Sequence, residues 1–438
     1  MNACVCTETP CDTGVLNGLP GASRWLGVLA VIVGALAVSG CGGGVDTPPA
    51  RTASSTPASA ASAPASSPSA SVLSGTLLYR YDQYVKQIAA VKVDASGATT
   101  DIASVDVRAE VLELAVDKAH RRVYALLANF PGEEGHPNPV VIFAIQDDGS
   151  LRQQATTKLG PWPFSMALDP TGTYAYSMSP ASIGPPDDSG IVQQYNGQLV
   201  ETFAINADGT FTSVATGAPI QQIDFVYGGS GLIAISGDGK RLFGALSGPG
   251  QLISYAVHPD GSLTEQARAA LSGNDPFGTF IVGLPQALAL KPDGTHVYVA
   301  ELSNGFSNYH AFNMMRTFSV STDGLLTEDT DWVNNKINSY ASVIAVTPDG
   351  KQLYDAGATA VNEFAIRADG TLDRLTTIVP GASPGGLALD PEGRFLFVAN
   401  MVDGTLNSYA VEPTGLLSEI GEPRFTDRSS SILRSVQF

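Results

Sequence analysis

The folded part of this 438-residue chain has no cysteine to work with, because all four (Cys4, Cys6, Cys11 and Cys41) lie at or before position 41. If residues 1–40 are removed, as argued below, neither a disulfide nor a thiolate metal site can form, and the fold must rest on its core. Histidine is scarce as well. There are five, and the chain holds no His-x-His or His-Glu-x-x-His pair, which argues against a transition-metal centre. Charged residues are 15% of the total and mostly acidic, 42 Asp and Glu against 24 Lys and Arg, for a net charge of −18. Such a surface repels nucleic acid and anionic lipid, so no nucleic-acid partner is expected. The many Asp-Gly pairs lack the Asp-x-Asp-x-Asp-Gly spacing of a calcium loop. Gly229-Ser-Gly-Leu232 lacks the helix a dinucleotide fingerprint needs, and Ser247-Gly-Pro-Gly250 reads as a turn, not a nucleophile elbow. No cofactor and no metal are expected.

Long apolar runs are missing too. Trp25 to Val38 is 14 residues, short for a membrane span but suited to the apolar region of a signal peptide. Arg24 precedes it, and Val38-Ser39-Gly40-Cys41 follows, which resembles the bacterial lipobox. Residues 1–40 are therefore expected to be a lipoprotein signal peptide, cleaved before a lipidated Cys41. Gly42, not Asp, comes next, which favours the outer membrane over other parts of the cell envelope. Residues 1–23 are unusual for such a leader, with Glu8, Asp12 and no Lys or Arg, so translation starting near Val15 or Leu16 is an alternative. Loss of residues 1–40 removes one basic and two acidic residues and leaves a charge of −17, so membrane attachment is expected through acyl chains and not a basic patch. Residues 41–74 are Gly, Pro, Ala, Ser and Thr with little else, a disordered tether about 30 Å in r.m.s. span.

What the chain does have is repetition. Leu387-Ala-Leu-Asp-Pro-Glu-Gly-Arg-Phe-Leu-Phe-Val-Ala-Asn400 reads as strand, Pro-x-Gly turn, strand. Related stretches put an alanine between two aliphatic residues at positions 115, 167, 234, 289, 345 and 388, spaced 52, 67, 55, 56 and 43 apart. A second motif, aromatic-Ala-aliphatic-x-x-Asp-Gly-x-Leu with variations, turns at Gly97, Gly149, Gly209, Gly261, Gly324, Gly370 and Gly415. Asp-Gly between alternating apolar strands is a hairpin signal. Self-similarity at this period means a repeat architecture. Each repeat gives four strands, A-turn-B-loop-C-turn-D, and residues 75–438 divide into seven repeats of 52. The A–B pair occurs six times. The tail Ser431-Ile-Leu-Arg-Ser-Val-Gln-Phe438 is a strand with nothing after it, and Thr76-Leu-Leu-Tyr-Arg-Tyr81 is a strand with no A partner before it. The expected fold is all-β: a seven-bladed β-propeller over 75–438, four-stranded, its first blade closed by the C-terminal strand so that no edge stays open.

These motifs resemble the lactonase-like β-propeller family, which includes bacterial 6-phosphogluconolactonases and carboxymuconate cycloisomerases. The resemblance runs from about Gly75 to Phe438. It implies the scaffold, and it implies lactonase chemistry carried by polar residues just before strand A, around the axis. At the matched positions this chain has Pro285-Gln286-Ala287, Pro384-Gly385-Gly386, Phe164 where the family has a His, and Val343 where it has a Glu. Those groups cannot move a proton. The expectation is therefore a lipid-anchored envelope module that binds a small polar ligand or an envelope protein without turning it over. The alternatives are an envelope lactone hydrolase and a scaffold for envelope assembly.

Loop length points to a working surface. The A–B and C–D turns are short and stereotyped, so variation in repeat length must fall on the opposite face, in 129–139, 159–165, 177–199, 215–231, 266–286, 301–314 and 328–342. These hold Trp162, Tyr227, Glu301, Tyr309, His310, Trp332 and Tyr340, which are the candidate ligand contacts, flat aromatics mixed with hydrogen-bonding groups. His136 and His310 lie in such loops, whereas His120, His258 and His296 sit at turns or a strand start, where a structural role is expected.

Overall fold

A computed structural model describes residues 74–128, 138–160, 163–182, 195–216, 220–221, 231–247, 250–274, 280–305, 312–330, 336–337, 341–357, 359–426 and 430–438. Cys41, Trp162, Tyr227, Tyr309, His310, Trp332 and Tyr340 lie outside them, as does His136. The described residues form seven antiparallel sheets and no helix. In blade 1 the strands Thr76–Asp82, Gln87–Val93 and Thr99–Asp106 are B, C and D, and Ser430–Gln437 is A. The other innermost strands are Glu110–Asp117, Ser165–Leu168, Gly231–Ile235, Phe280–Leu290, Ala341–Val346 and Pro384–Leu389 in blades 2 to 7. Each innermost strand touches the next, including that of blade 7 against the tail and the tail against that of blade 2, so the ring is closed.

The closure is the one expected. Thr76 to Asp82 pairs antiparallel with Gln437 to Ser430, leaving blade 1 with four strands assembled from both ends of the chain. Gly75 and Phe438 exchange backbone hydrogen bonds of 3.1 Å in both directions at the seam.

The alternation in each strand explains the packing. Successive side chains point to opposite sheet faces, so each blade offers one apolar set to the blade before it and another to the blade after. Leu387 packs with Tyr354, Ala356 and Val361 of blade 6. Its neighbour Ala388 packs with Phe397, Leu78, Val91 and Leu433, on the blade 1 side. Seven apolar clusters result, one per interface. The repeated alanine stands opposite an aromatic of strand B every time: Ala115 with Tyr124, Ala167 with Tyr176, Ala234 with Phe243, Ala289 with Tyr298, Ala345 with Tyr354 and Ala388 with Phe397. Close to the axis the blades converge, and only a small group fits between them beside that ring. In blade 1 the residue opposite Tyr79 is Arg434.

The tyrosines among these aromatics also lock blade to blade. Tyr79 donates to the carbonyl of Gly149 at 3.1 Å, Tyr298 to Gly370 at 3.0 Å and Tyr354 to Gly415 at 2.8 Å, each reaching the C–D turn of the following blade. Burial pushes all three phenols above their ordinary range, so they stay neutral donors. The turn glycines have φ near +85°, where a side chain is strained: Gly370 is at +84°. A Cβ there would lie 2.1 Å from His296 Nε2. Gly370→Ala is therefore expected to cost about 1–3 kcal/mol in chemical denaturation. An unchanged midpoint would show that blade 6 can shift away from His296 freely.

The expectation of long loops needs correction in part. Several of those segments are longer strands. Strand B of blade 3 runs Tyr174–Ser182 and its strand C Tyr195–Ile205, while blade 5 has Phe280–Leu290, His296–Gly305 and Phe312–Val320. Two-residue strands add to the sheets at Ile220–Gln221, Gly273–Asn274, Lys336–Ile337 and Arg424–Phe425. Inserted residues here continue the backbone ladder, which satisfies their N–H and C=O groups where a loop would need other partners.

Candidate active site on the axis

Strand A of blade 2 carries a one-residue register shift between Val111 and Glu113. Similar shifts fall between Pro285 and Ala287, Ala341 and Val343, and Pro384 and Gly386, at the same point of blades 5, 6 and 7. A bulge leaves one residue unpaired and re-aims the next. In blade 2 the residue after the shift is Glu113. It directly precedes Leu114-Ala115-Val116, the place where the resemblance puts functional groups.

Glu113 is tied to both neighbouring blades. Its Oε2 accepts from the Ser165 hydroxyl at 3.0 Å and from the Met166 backbone N–H at 2.9 Å, both in strand A of blade 3. Its Oε1 lies 3.3 Å from Arg434 Nη2 in blade 1. Ser165 in turn accepts from the Ile233 N–H of blade 4 at 3.3 Å, and Ser435 donates to the Leu389 carbonyl of blade 7. Polar contacts thus run through five consecutive innermost strands, with Glu113 and Arg434 in the middle.

A cavity of about 330 Å³ opens beside them, lined by residues 113–116 and 166–168 with Ile233, Arg434 and Ser435. Arg434 can reach it because it occupies the position that the other six blades give to alanine. Burial pushes the Glu113 carboxyl above its ordinary range, and the Arg434 guanidinium and the two donors pull it only part of the way back. The pair is not a stability device. The side chains are 20% and 37% exposed, and an ion pair in that setting contributes no more than about 1 kcal/mol. A perturbed acid beside a cation in a cleft is the pattern of a working site.

Chemically the arrangement offers a base and an electrophile side by side. Oε2 is occupied by two donors, so Oε1 is the oxygen that can take a proton from water. Arg434 has donors left to polarise a carbonyl. Ser165 is not a nucleophile: it is 4% exposed and spends its hydrogen on Glu113. The described histidines are elsewhere. His120 pairs with Asp117 at 2.8 Å, His258 with the Thr264 hydroxyl at 2.8 Å and His296 with the Thr295 hydroxyl at 2.9 Å, all beside turns. Among the described residues no group of three His, Cys, Asp or Glu is placed to hold a metal ion.

Of the ligand contacts expected from loop length, Glu301 is the one the described residues include, and it is not in a loop. It lies inside His296–Gly305, 3% exposed, with Arg316 3.5 Å away and Glu328 on the far side of that guanidinium. Loss of hydration outweighs the Arg316 attraction and pushes its carboxyl up to about 8. Asp355 and Glu363 of blade 6 are each pushed to about 7, and Glu201 of blade 3 also rises, all through burial. In the unfolded chain these groups ionise near pH ~4. Between there and their folded values the native state holds more protons than the unfolded one, so stability must fall as pH rises. Melting temperature is expected to be higher near pH ~5 than near pH ~8.5. A rise over that interval would mean these acids are ionised in the fold.

Gln286, Val343 and Gly385 lie in innermost strands and Phe164 directly precedes one, but the axis is not stripped of charge. Glu113 was legible as an acid directly before an aliphatic-Ala-aliphatic triplet. Arg434 could be found by laying the tail on strand A and noticing an arginine where alanine recurs.

Comparison with known proteins agrees with the fold. The chain is similar to the lactonase-like seven-bladed propellers: the family described as "Lactonase, 7-bladed beta-propeller" matches residues 284–432. Among individual proteins, the 6-phosphogluconolactonase of Yersinia pestis is 26% identical over 344 residues, 76% of this chain and 90% of that protein. Among solved structures, the periplasmic gluconolactonase of Pseudomonas aeruginosa superposes with a TM-score of 0.59 at 19% identity, over 82% of this chain and 99% of that one. A Lactobacillus plantarum protein gives 0.62 at 21% identity, over 83% and 100%. At those identities the structural likeness speaks for the fold.

Proposed function

We propose that the protein is a lactone hydrolase working at the axial cavity. The observation that carries this reading is Glu113 with Arg434 beside a cavity on the innermost strands. Glu113 acts as general base and takes a proton from the attacking water through Oε1. Its raised affinity for protons brings it closer to neutral pH, where a base works best. Arg434 receives the charge that builds on the lactone carbonyl oxygen as water adds, and as the carbonyl re-forms the ring C–O bond breaks and Glu113 returns the proton to the departing oxygen, giving the open hydroxy acid. Ser165 and the Met166 N–H hold the carboxylate in one orientation. Relatives called lactonases over most of the chain's length support the same reading. The binding module without turnover drew its support from an uncharged axis, and loses that support with Glu113 and Arg434 in place.

The test is acid release from sugar lactones by the purified full chain. Turnover above the spontaneous rate, lost in Arg434→Gln, is expected. No turnover of any lactone would return the chain to the class of binding or scaffolding modules.

We further propose that the enzyme works in the cell envelope, held by lipid on Cys41. The lipobox after an apolar run and the Gly, Ser, Pro and Ala-rich segment 41–74 support this. Cys41→Ser is expected to move the protein from the membrane to the soluble fraction. Persistent membrane association of that variant would contradict the anchor.

A further inference from the structure

The charge inventory of the axial cavity bears on which lactones it can accept. Among the described residues its lining has one cation, Arg434, and one carboxylate, Glu113, and is otherwise apolar apart from Ser435 and backbone. The cation is partly engaged, with donors left for a carbonyl oxygen: Nη1 donates to the Leu433 carbonyl at 2.9 Å, and Nη2 lies 3.3 Å from Glu113. Recognition of a phosphate normally uses two or more cationic side chains, a helix N-terminus or a nest of backbone N–H groups. Among the described residues there is no helix, and the Met166 N–H beside the cavity is bonded to Glu113. A phosphate monoester in this cavity would bring about two negative charges next to the Glu113 carboxylate. The net charge of −18 on the chain opposes its approach as well.

We propose that the axial site is specific for unphosphorylated sugar lactones, neutral cyclic esters, and discriminates against their phosphate esters. This rests on the lactone-hydrolase reading above. A neutral lactone asks of the site only what the site has: one donor for the carbonyl, one base for water, and half-buried apolar side chains such as Val116 and Leu168 for the C–H faces of the ring. Discrimination arises from repulsion by Glu113 and from the lack of a second cation among the described residues of the lining.

The experiment compares kcat/KM for δ-gluconolactone and its 6-phosphate with the purified full chain under identical conditions. The phosphorylated lactone is expected to be poorer by about tenfold or more, chiefly through KM. Equal or better use of the phosphorylated lactone would overturn the specificity and leave the hydrolase intact. Failure to turn over either would overturn both.

Discussion

Glu113→Gln is expected to lower kcat for lactone hydrolysis by about a hundredfold to ten-thousandfold, the usual contribution of a positioned general base. The amide keeps the shape of the side chain and can still accept from Ser165 and the Met166 N–H through its oxygen, at the present 3.0 and 2.9 Å. It cannot take the proton from water. Removing a partly buried carboxylate that pays a desolvation penalty should leave melting temperature unchanged or slightly higher. The signature is therefore a large loss of kcat on a folded protein, with KM little altered if Arg434 does most of the ground-state binding. The measurement is steady-state kinetics with a melting curve on the same preparation. A variant that retains most of its activity would remove Glu113 from the mechanism.

The second large effect concerns the ends of the chain. Deleting 431–438 removes the innermost strand of blade 1 and with it Leu433 and Val436, both buried and each packed in a different blade interface. Two interfaces open at once, and the strand Thr76–Asp82 becomes a bare edge whose N–H and C=O groups lose their partners. The loss is expected to reach about 5 kcal/mol or more from the apolar contacts alone. The truncated chain should therefore aggregate, or melt far below the parent in a calorimetric scan. Leu433→Ala offers a milder form, at about 2–5 kcal/mol. Parental melting of the truncated chain would contradict closure by the tail.

These two residues sets show what the sequence makes visible. Strand order, blade number and closure follow from recurrence. The Ala-aromatic pairing and the Asp-Gly hairpins repeat because every blade solves the same packing problem, and repetition shows through one sequence alone. The site is different, because it is where the repeat is broken. Glu113 follows a bulge that blades 5, 6 and 7 share, so it stands two residues before its alanine as Ala287, Val343 and Gly386 do before theirs, and it is missed when only those blades are compared. Arg434 sits in the one strand A that lacks the Ala motif, and pairing with Tyr79 is what reveals its equivalence to the alanines. Glu301 misled for the opposite reason. A strand that extends past its repeat length looks like a loop in sequence, and its acid looks solvated, whereas the backbone ladder carries it into a blade interface beside Arg316.

The proposed chemistry lies on the axis, at Glu113 and Arg434. A crystal structure of Glu113→Gln soaked with δ-gluconolactone tests this most directly. The prediction is a lactone ring in the cavity between the strands Glu110–Asp117 and Ser165–Leu168, its carbonyl oxygen within hydrogen-bond distance of Arg434. An empty axial cavity, with the lactone bound elsewhere on the protein, would contradict it.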